Sequence, residues 1–243
     1  SIASVIFGSL GLGKKLLITD LDNTLWGGVV GDDGVQGIKS GMDTAAGELY
    51  TFFQGYLCDL RSSGIPIAIC SKNETENVLP AFSDNKVLLS YDDFSAAEIG
   101  WDSKANGIRN ISEKLNLNIR DMVFVDDNPV EISVVETHLP DCTSVGFDRY
   151  VLDAVSSLDD LGLFEIQSLS AEDLRRSDYY AENRKRDELR ELFSDGDEFL
   201  RGLQMRAAPQ FDSKEDIPRF AALVNKTNQF NIAQVKITEE TIE

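Results

Sequence analysis

The chain has 243 residues, with 42 acidic against 23 basic side chains and a formal net charge of −19. Such an excess of carboxylates argues against general binding to nucleic acid or to an anionic membrane, both of which need Lys and Arg to meet phosphate. With 42% hydrophobic and 27% charged residues, the composition is that of a globular protein, long enough for one large domain and a smaller one.

In chain order, residues 1–14 read as a linker. Within it GSLGLGKK (8–15) matches GxxxxGK, but Lys15 stands where a Ser or Thr would meet Mg²⁺, and the segment precedes a strand instead of joining strand to helix, so it is not read as a nucleotide loop. Leu16–Thr19 is a short apolar strand ending in acids. Residues 27–41 form a Gly-rich flap, and Ala46–Arg61 has helical spacing closed by Ser-Ser-Gly. Ile65–Cys70 is a second strand, Thr75–Phe82 a short helix, Val87–Leu89 an abbreviated strand and Asp102–Leu115 a helix. Met122–Val125 is a buried strand, Pro129–His138 a helix with Pro in its first turn, and Thr143–Val145 a last short strand.

This alternation predicts βαβ units and a parallel sheet covered on both faces, with the site beyond the carboxyl ends of the strands. After about residue 165 the texture changes. Residues 171–206 are charged and amphipathic, 217–230 has the pattern of another helix, and VKITEETIE reads as the start of a strand. Cys58, Cys70 and Cys142 are odd in number and widely spaced, which suits a reducing, cytoplasmic setting. No apolar run is long enough for a membrane span, and the first residues lack the pattern of a signal peptide.

Four strand-end features carry chemistry. DLDNTL (20–25) places one carboxylate at a strand tip, another two residues on and a hydroxyl two further. Asp20 would attack phosphorus, and Asp22 would protonate the leaving oxygen and later deprotonate water. Asp-x-Asp also arises readily in so acidic a chain. MVFVDDNPVE (122–131) puts Asp126 and Asp127 at another strand end, with Glu131 a turn later; converging carboxylates need a cation, and oxygen ligands suit Mg²⁺. The alternative is an Asp cap for the helix that starts at Pro129. Ser71 stands at a third strand end, where a hydroxyl and backbone N–H groups would hold a phosphate oxygen or simply make a turn. Lys104, near a helix start where a cation is unfavourable, would neutralise phosphate or lie at the surface.

Taken together and in this order, these residues resemble the four motifs of the haloacid dehalogenase (HAD) superfamily. Within it, LLITDLDNTLWGG, AICSKNE, the stretch Trp101–Lys104, VFVDDNPVE and KTNQFN (226–231) resemble the FkbH-like family (HAD-IIIC type) from Lys15 almost to the end of the chain. The resemblance implies a HAD-like Rossmannoid α/β catalytic domain over 15–160 with no large cap. It implies that 161–243 belongs to a smaller α+β, acetyltransferase-like region that continues past this chain. It implies Mg²⁺ held by Asp20, Asp22 (through its carbonyl) and Asp127, phosphate held by Ser71 and Lys104, and Asp126 and Glu131 orienting the ligands. The activity implied is removal of phosphate from a phosphorylated three-carbon donor, 1,3-bisphosphoglycerate, with loading of the glyceryl unit onto an acyl carrier protein. A small-molecule phosphomonoesterase and a non-catalytic carrier-binding scaffold are the alternatives. WDSKANGI departs from the family in having no Pro before Lys104, and Ile-Ser-Val follows Glu131 in place of further charges.

Cys70 is a candidate acyl acceptor beside the phosphate site, although strand alternation turns it away from Ser71. Cys58 and Cys142 read as structural, and His138, the only histidine, as a cap near a helix end. The basic run Arg175, Arg176, Arg184, Lys185, Arg186 and Arg190 reads either as a dock for an acidic carrier protein or as a solvated helix with interleaved acids.

Overall fold

A computed structural model describes residues 13–164 and 176–191, with residues 201 and 217 besides. The expectations for 165–175 and for most of 192–243, KTNQFN and the C-terminal strand start among them, lie outside the described residues. The chain divides into two units, Ser1–Leu192 and Phe193–Glu243. The sheet, its helices and the candidate site all belong to the first.

Five parallel strands form one sheet in the order β3-β2-β1-β4-β5: β1 Leu16–Thr19, β2 Ile67–Ser71, β3 Ala96–Ile99, β4 Met122–Asp126 and β5 Thr143–Gly146. The central strands are apolar on both sides because both faces are covered. On one face Leu17, Ile67, Ile69, Val123 and Val125 share a core with Phe53 and Leu57 of the helix Ala45–Ser62 and with Ala154 and Leu158 of the helix Val151–Asp160. On the other, Leu16, Ile18, Ala68, Cys70, Met122 and Phe124 pack with Ile108 and Ile111 of Lys104–Leu115 and Val135 of Pro129–His138. Among the described residues the helices are, in chain order, α1 Val30–Gly37, α2 Ala45–Ser62, α3 Thr75–Phe82, α4 Lys104–Leu115, α5 Pro129–His138, α6 Val151–Asp160 and α7 Arg176–Glu191.

The register sets Leu17 beside Val123 and Thr19 beside both Ile69 and Val125. The ladder continues one step further, since the amide of Asp20 donates to the carbonyl of Val125 at 3.0 Å. The tip of β1 is therefore bonded to the tip of β4. After β3 the chain crosses to the far side of β1, so the strand order reverses there and a crevice opens at the carboxyl ends.

The expected strand at Val87–Leu89 is not one. Val87 and Leu89 are buried and Leu88 is exposed, an alternation like that of a strand. But the Leu88 amide donates to the side chain of Gln54 on α2, and Ser90 opens a short 3₁₀ turn at Tyr91–Asp93. The third strand lies further on, at Ala96–Ile99. The flap at 27–41 contains α1, broken at Gly34, whose φ of 66° and ψ of 172° are not helical. Among the described residues no helix is long and apolar enough to cross a membrane.

Candidate active site

The loop after β1 is tightly specified. Asn23 has a positive φ of 56°, and its side-chain oxygen accepts from the Gly28 amide at 2.9 Å while its own amide donates to the Gly28 carbonyl. Asn is one of the few non-glycine residues that enters this region cheaply. A side chain at Gly27 would strike the Tyr50 ring, with a Cβ 2.5 Å from it, and Gly28 sits at φ 97°. The turn buries Trp26 completely, edge-on to Phe82 at 5.4 Å between centroids.

From there the indole N–H of Trp26 donates to Asp22 Oδ1 at 2.9 Å. The Val30 amide donates to the same oxygen at 3.0 Å, and Asn73 Nδ2 to Oδ2 at 2.9 Å. Burial raises the Asp22 pKa above the ordinary carboxylate range, and the donors from Val30 and Trp26 offset only part of that rise. The carboxyl is thus both oriented and inclined to keep a proton.

One carboxylate oxygen each from Asp20, Asp126 and Asp127 lie within 4.8 Å of one another. Burial first, and the charge of Asp20 second, push Asp126 up to about 7 and raise Asp127 as well. Thr24, fully buried, ties the two loops together: its hydroxyl accepts from the Asp127 amide at 3.2 Å and contacts Asp127 Oδ1 at 3.4 Å. Asp126 Oδ1 accepts from the Asn128 amide at 2.8 Å, and the cap of α5 is Asn128, not an Asp. Asp126 therefore stands inside the carboxylate cluster, where the resemblance implies an orienting role.

Lys104 is the first residue of α4 and only 3% exposed. Its ammonium donates to Asp20 Oδ1 at 2.5 Å and to the Cys70 carbonyl at 2.7 Å, and lies 3.2 Å from Asp126 Oδ2 in an ion pair without hydrogen-bond geometry. Burial would lower its pKa, but the two aspartates outweigh this and the net shift is upward. The expectation of a surface lysine is excluded, and the unfavourable place at a helix start is offset by the pair of carboxylates.

A cavity of about 340 Å³ lies over this cluster, lined by Asp20, Asp22, Ser71, Lys104, Asp126 and Asp127 among others. Ser71 is 3% exposed at the end of β2. Cys70 does not line this cavity. Its thiol sits under α4, 3.7 Å from the Lys104 carbonyl, and lines a separate recess of about 90 Å³. Burial pushes its pKa up to about 12, so it is a neutral thiol at physiological pH.

Glu131 is held by Lys72, whose ammonium lies 2.7 Å from Oε1. Thr24 is the hydroxyl of the sequence pattern after β1, whereas Asn73, Trp26 and Lys72 carry no site role in the sequence reading. Their signal was their place within the DNTLWGG and SKN stretches, directly after strands. In the basic run, Arg184 donates to the Tyr91 carbonyl and packs 4.4 Å from the Tyr91 ring, and Lys185 pairs with Asp92 at 2.6 Å. Both are therefore engaged within the chain.

The all-oxygen donor set and the Asp126 oxygen without a hydrogen-bond donor fit a hard divalent cation such as Mg²⁺. No protein-family profile and no curated protein matches the chain. Among solved structures it is similar to the N-terminal part of the protein BF1531 from Bacteroides fragilis, described as containing a phosphatase domain complexed with Mg: 40% identity, TM-score 0.66, over 69% of this chain and 45% of that one. This chain thus spans less than half the length of that relative. More distant likenesses include a HAD superfamily (subfamily III A) hydrolase from Legionella pneumophila, at 16% identity and TM-score 0.41 over 75% and 97% of the two chains. Another is the cobalt-bound deoxy-D-mannose-octulosonate 8-phosphate phosphatase from Haemophilus influenzae, at 14% and 0.34 over 79% and 96%. The five-stranded parallel sheet with helices on both faces is a HAD-like, Rossmann-like α/β fold.

Proposed function

We propose that this chain is a Mg²⁺-dependent phosphatase of the HAD type working through an aspartyl-phosphate. The observation that carries this reading is the convergence of Asp20, Asp126 and Asp127 within 4.8 Å, with the Lys104 ammonium against two of them. The Mg²⁺ complex of the Bacteroides fragilis domain supports the choice of metal. Asp20, Asp126 and Asp127 would hold the ion, which supplies charge to a transferring phosphoryl group.

A carboxylate oxygen of Asp20 attacks phosphorus as the bond to the leaving oxygen breaks, and Asp22 gives its proton to that oxygen. The raised pKa of Asp22 suits this first step. Asp22, now a base, then takes a proton from the water that attacks the phosphoryl-aspartate, releasing phosphate and restoring Asp20. Lys104 and Ser71 neutralise and hold the phosphoryl oxygens, and such positioning carries most of the rate in a loose transition state.

The finer reading is that the donor is a phosphoglyceryl compound such as 1,3-bisphosphoglycerate, with the glyceryl unit passed to an acyl carrier protein. It rests on the family resemblance carried by the LWGG and TNQFN elements. Asp20→Asn is expected to abolish Mg²⁺-dependent phosphate release, by at least about a thousandfold in kcat. Release that survives the change intact ends the mechanism. Intact-mass analysis of a carrier protein incubated with enzyme and 1,3-bisphosphoglycerate decides the acyl transfer: a glyceryl mass gain supports it, and an unmodified carrier leaves a phosphatase alone.

A further inference from the structure

We propose that Lys72 forms a subsite for a second anionic group on the phosphorylated substrate, a carboxylate or another phosphate; the assignment rests on the phosphatase reading.

Two cations line the cavity over the carboxylates, Lys72 and Lys104. They are placed for different work. Lys104 is 3% exposed, and its ammonium is taken up by Asp20, Asp126 and the Cys70 carbonyl. With two donors committed and its charge set against Asp126, it balances charge beneath the reacting centre and lies buried away from more distant parts of the substrate. Lys72 follows Ser71 at the end of β2, and its side chain is 37% exposed. Its hydrogen bond among the described residues goes to Glu131 Oε1, at 2.7 Å. An ammonium carries three donors, so two remain.

Glu131 explains why those donors stay in place. Its side chain is 12% exposed, and its second oxygen is buried without a hydrogen-bond partner. Withdrawing Lys72 would leave that carboxylate in a largely dry place with no other ion-pair partner among the described residues, which is costly. The pair therefore acts as a post: the largely buried acid holds the ammonium, and the partly exposed Lys72 side chain lines the cavity. Asp20, Asp22, Asp126 and Asp127 otherwise give this cavity an acidic lining. A substrate with a second negative charge meets repulsion there unless a cation receives it, and Lys72 is the exposed cation of the cavity, with two free donors.

The test uses three phosphate esters on one two-carbon skeleton: phosphoglycolate, 2-hydroxyethyl phosphate and ethane-1,2-diyl bisphosphate. For the full chain with Mg²⁺, kcat/KM is expected to favour at least one doubly substituted ester over hydroxyethyl phosphate by about tenfold or more, the worth of a hydrogen bond to a charged group. Which one is favoured tells carboxylate from phosphate. In Lys72→Met that ratio is expected to fall to near one, and Lys72→Arg is expected to keep most of it. A ratio unchanged in Lys72→Met, or absent from the start while the esters are hydrolysed, overturns the subsite and leaves the phosphatase reading standing. Direct calorimetric binding of the same esters to Asp20→Asn, with and without Lys72→Met, separates the two claims. If no ester is ever hydrolysed but the Lys72-dependent binding preference is present, the phosphatase reading falls and the subsite remains. A circular-dichroism melt of each variant verifies folding.

Discussion

Asp22 shows how much a single carboxyl depends on its neighbours. Three donors, from Trp26, Val30 and Asn73, aim it and favour its charged form, while burial favours the neutral form and prevails. Removing a donor should therefore raise the pKa further. Asn73→Ala is expected to shift the alkaline limb of the kcat profile, which reports loss of the acid's proton, to higher pH. It should also lower kcat about tenfold, because the carboxyl is less well placed. Steady-state kinetics across pH 5 to about 9 check this, and an unmoved limb denies Asn73 its part. The spacing of Asp20 and Asp22 was readable from the chain, since both belong to one short stretch after a strand. The contribution of Asn73 was not, because it comes from the end of a strand about fifty residues away.

At the level of elements, β2 and α4 meet with almost no slack. A Cβ on Gly107 would lie 2.7 Å from Cys70 Sγ. Gly107→Ala gains about 0.5–1 kcal/mol of helix propensity, but forcing α4 off the sheet costs about 1–3 kcal/mol. The expected net effect is destabilisation of about 1–2 kcal/mol, and Cys70→Ala in the same chain should relieve it by removing the clashing sulfur. Urea unfolding of the two single variants and the double variant measures the coupling; strictly additive effects would sink the contact. The same close approach assigns Cys70 to packing. It also explains why Lys104, one turn earlier on α4, arrives beside Asp20. Strand β3 was illegible because AAEI is short and small-sided, whereas the buried Val87 and Leu89 mimic a strand without pairing.

For the molecule as a whole, the carboxyl ends of β1 and β4 concentrate negative charge in one crevice. Asp126, at about 7, and Asp22 and Asp127, also raised, hold protons in the folded metal-free protein that the unfolded chain has already released. Folded pKa values above the unfolded ones mean that stability falls as pH rises through the window from about 4 to about 7. A divalent ion does the proton's work, so Mg²⁺ should raise Tm by about 5–10 °C at pH 8 when it is in about hundredfold excess over Kd, and far less at pH 5. Scanning calorimetry with and without Mg²⁺ at the two pH values decides the matter. Equal shifts at both would mean that the ion does not replace those protons.

The amino-acid sequence by itself determined the alternation of strands and helices, the apolar runs at Leu16–Thr19 and Met122–Val125, and the acids placed directly after them, because burial periodicity and strand ends are local properties. Only the tertiary structure decided which of those acids share a cluster, that Lys104 lies beneath it, that Asn73 and Trp26 anchor Asp22, and that Lys72 leans on Glu131. Those relations arise where β1 bonds to β4 and the strand order reverses. They depend on parallel pairing between segments about a hundred residues apart, which no local pattern encodes.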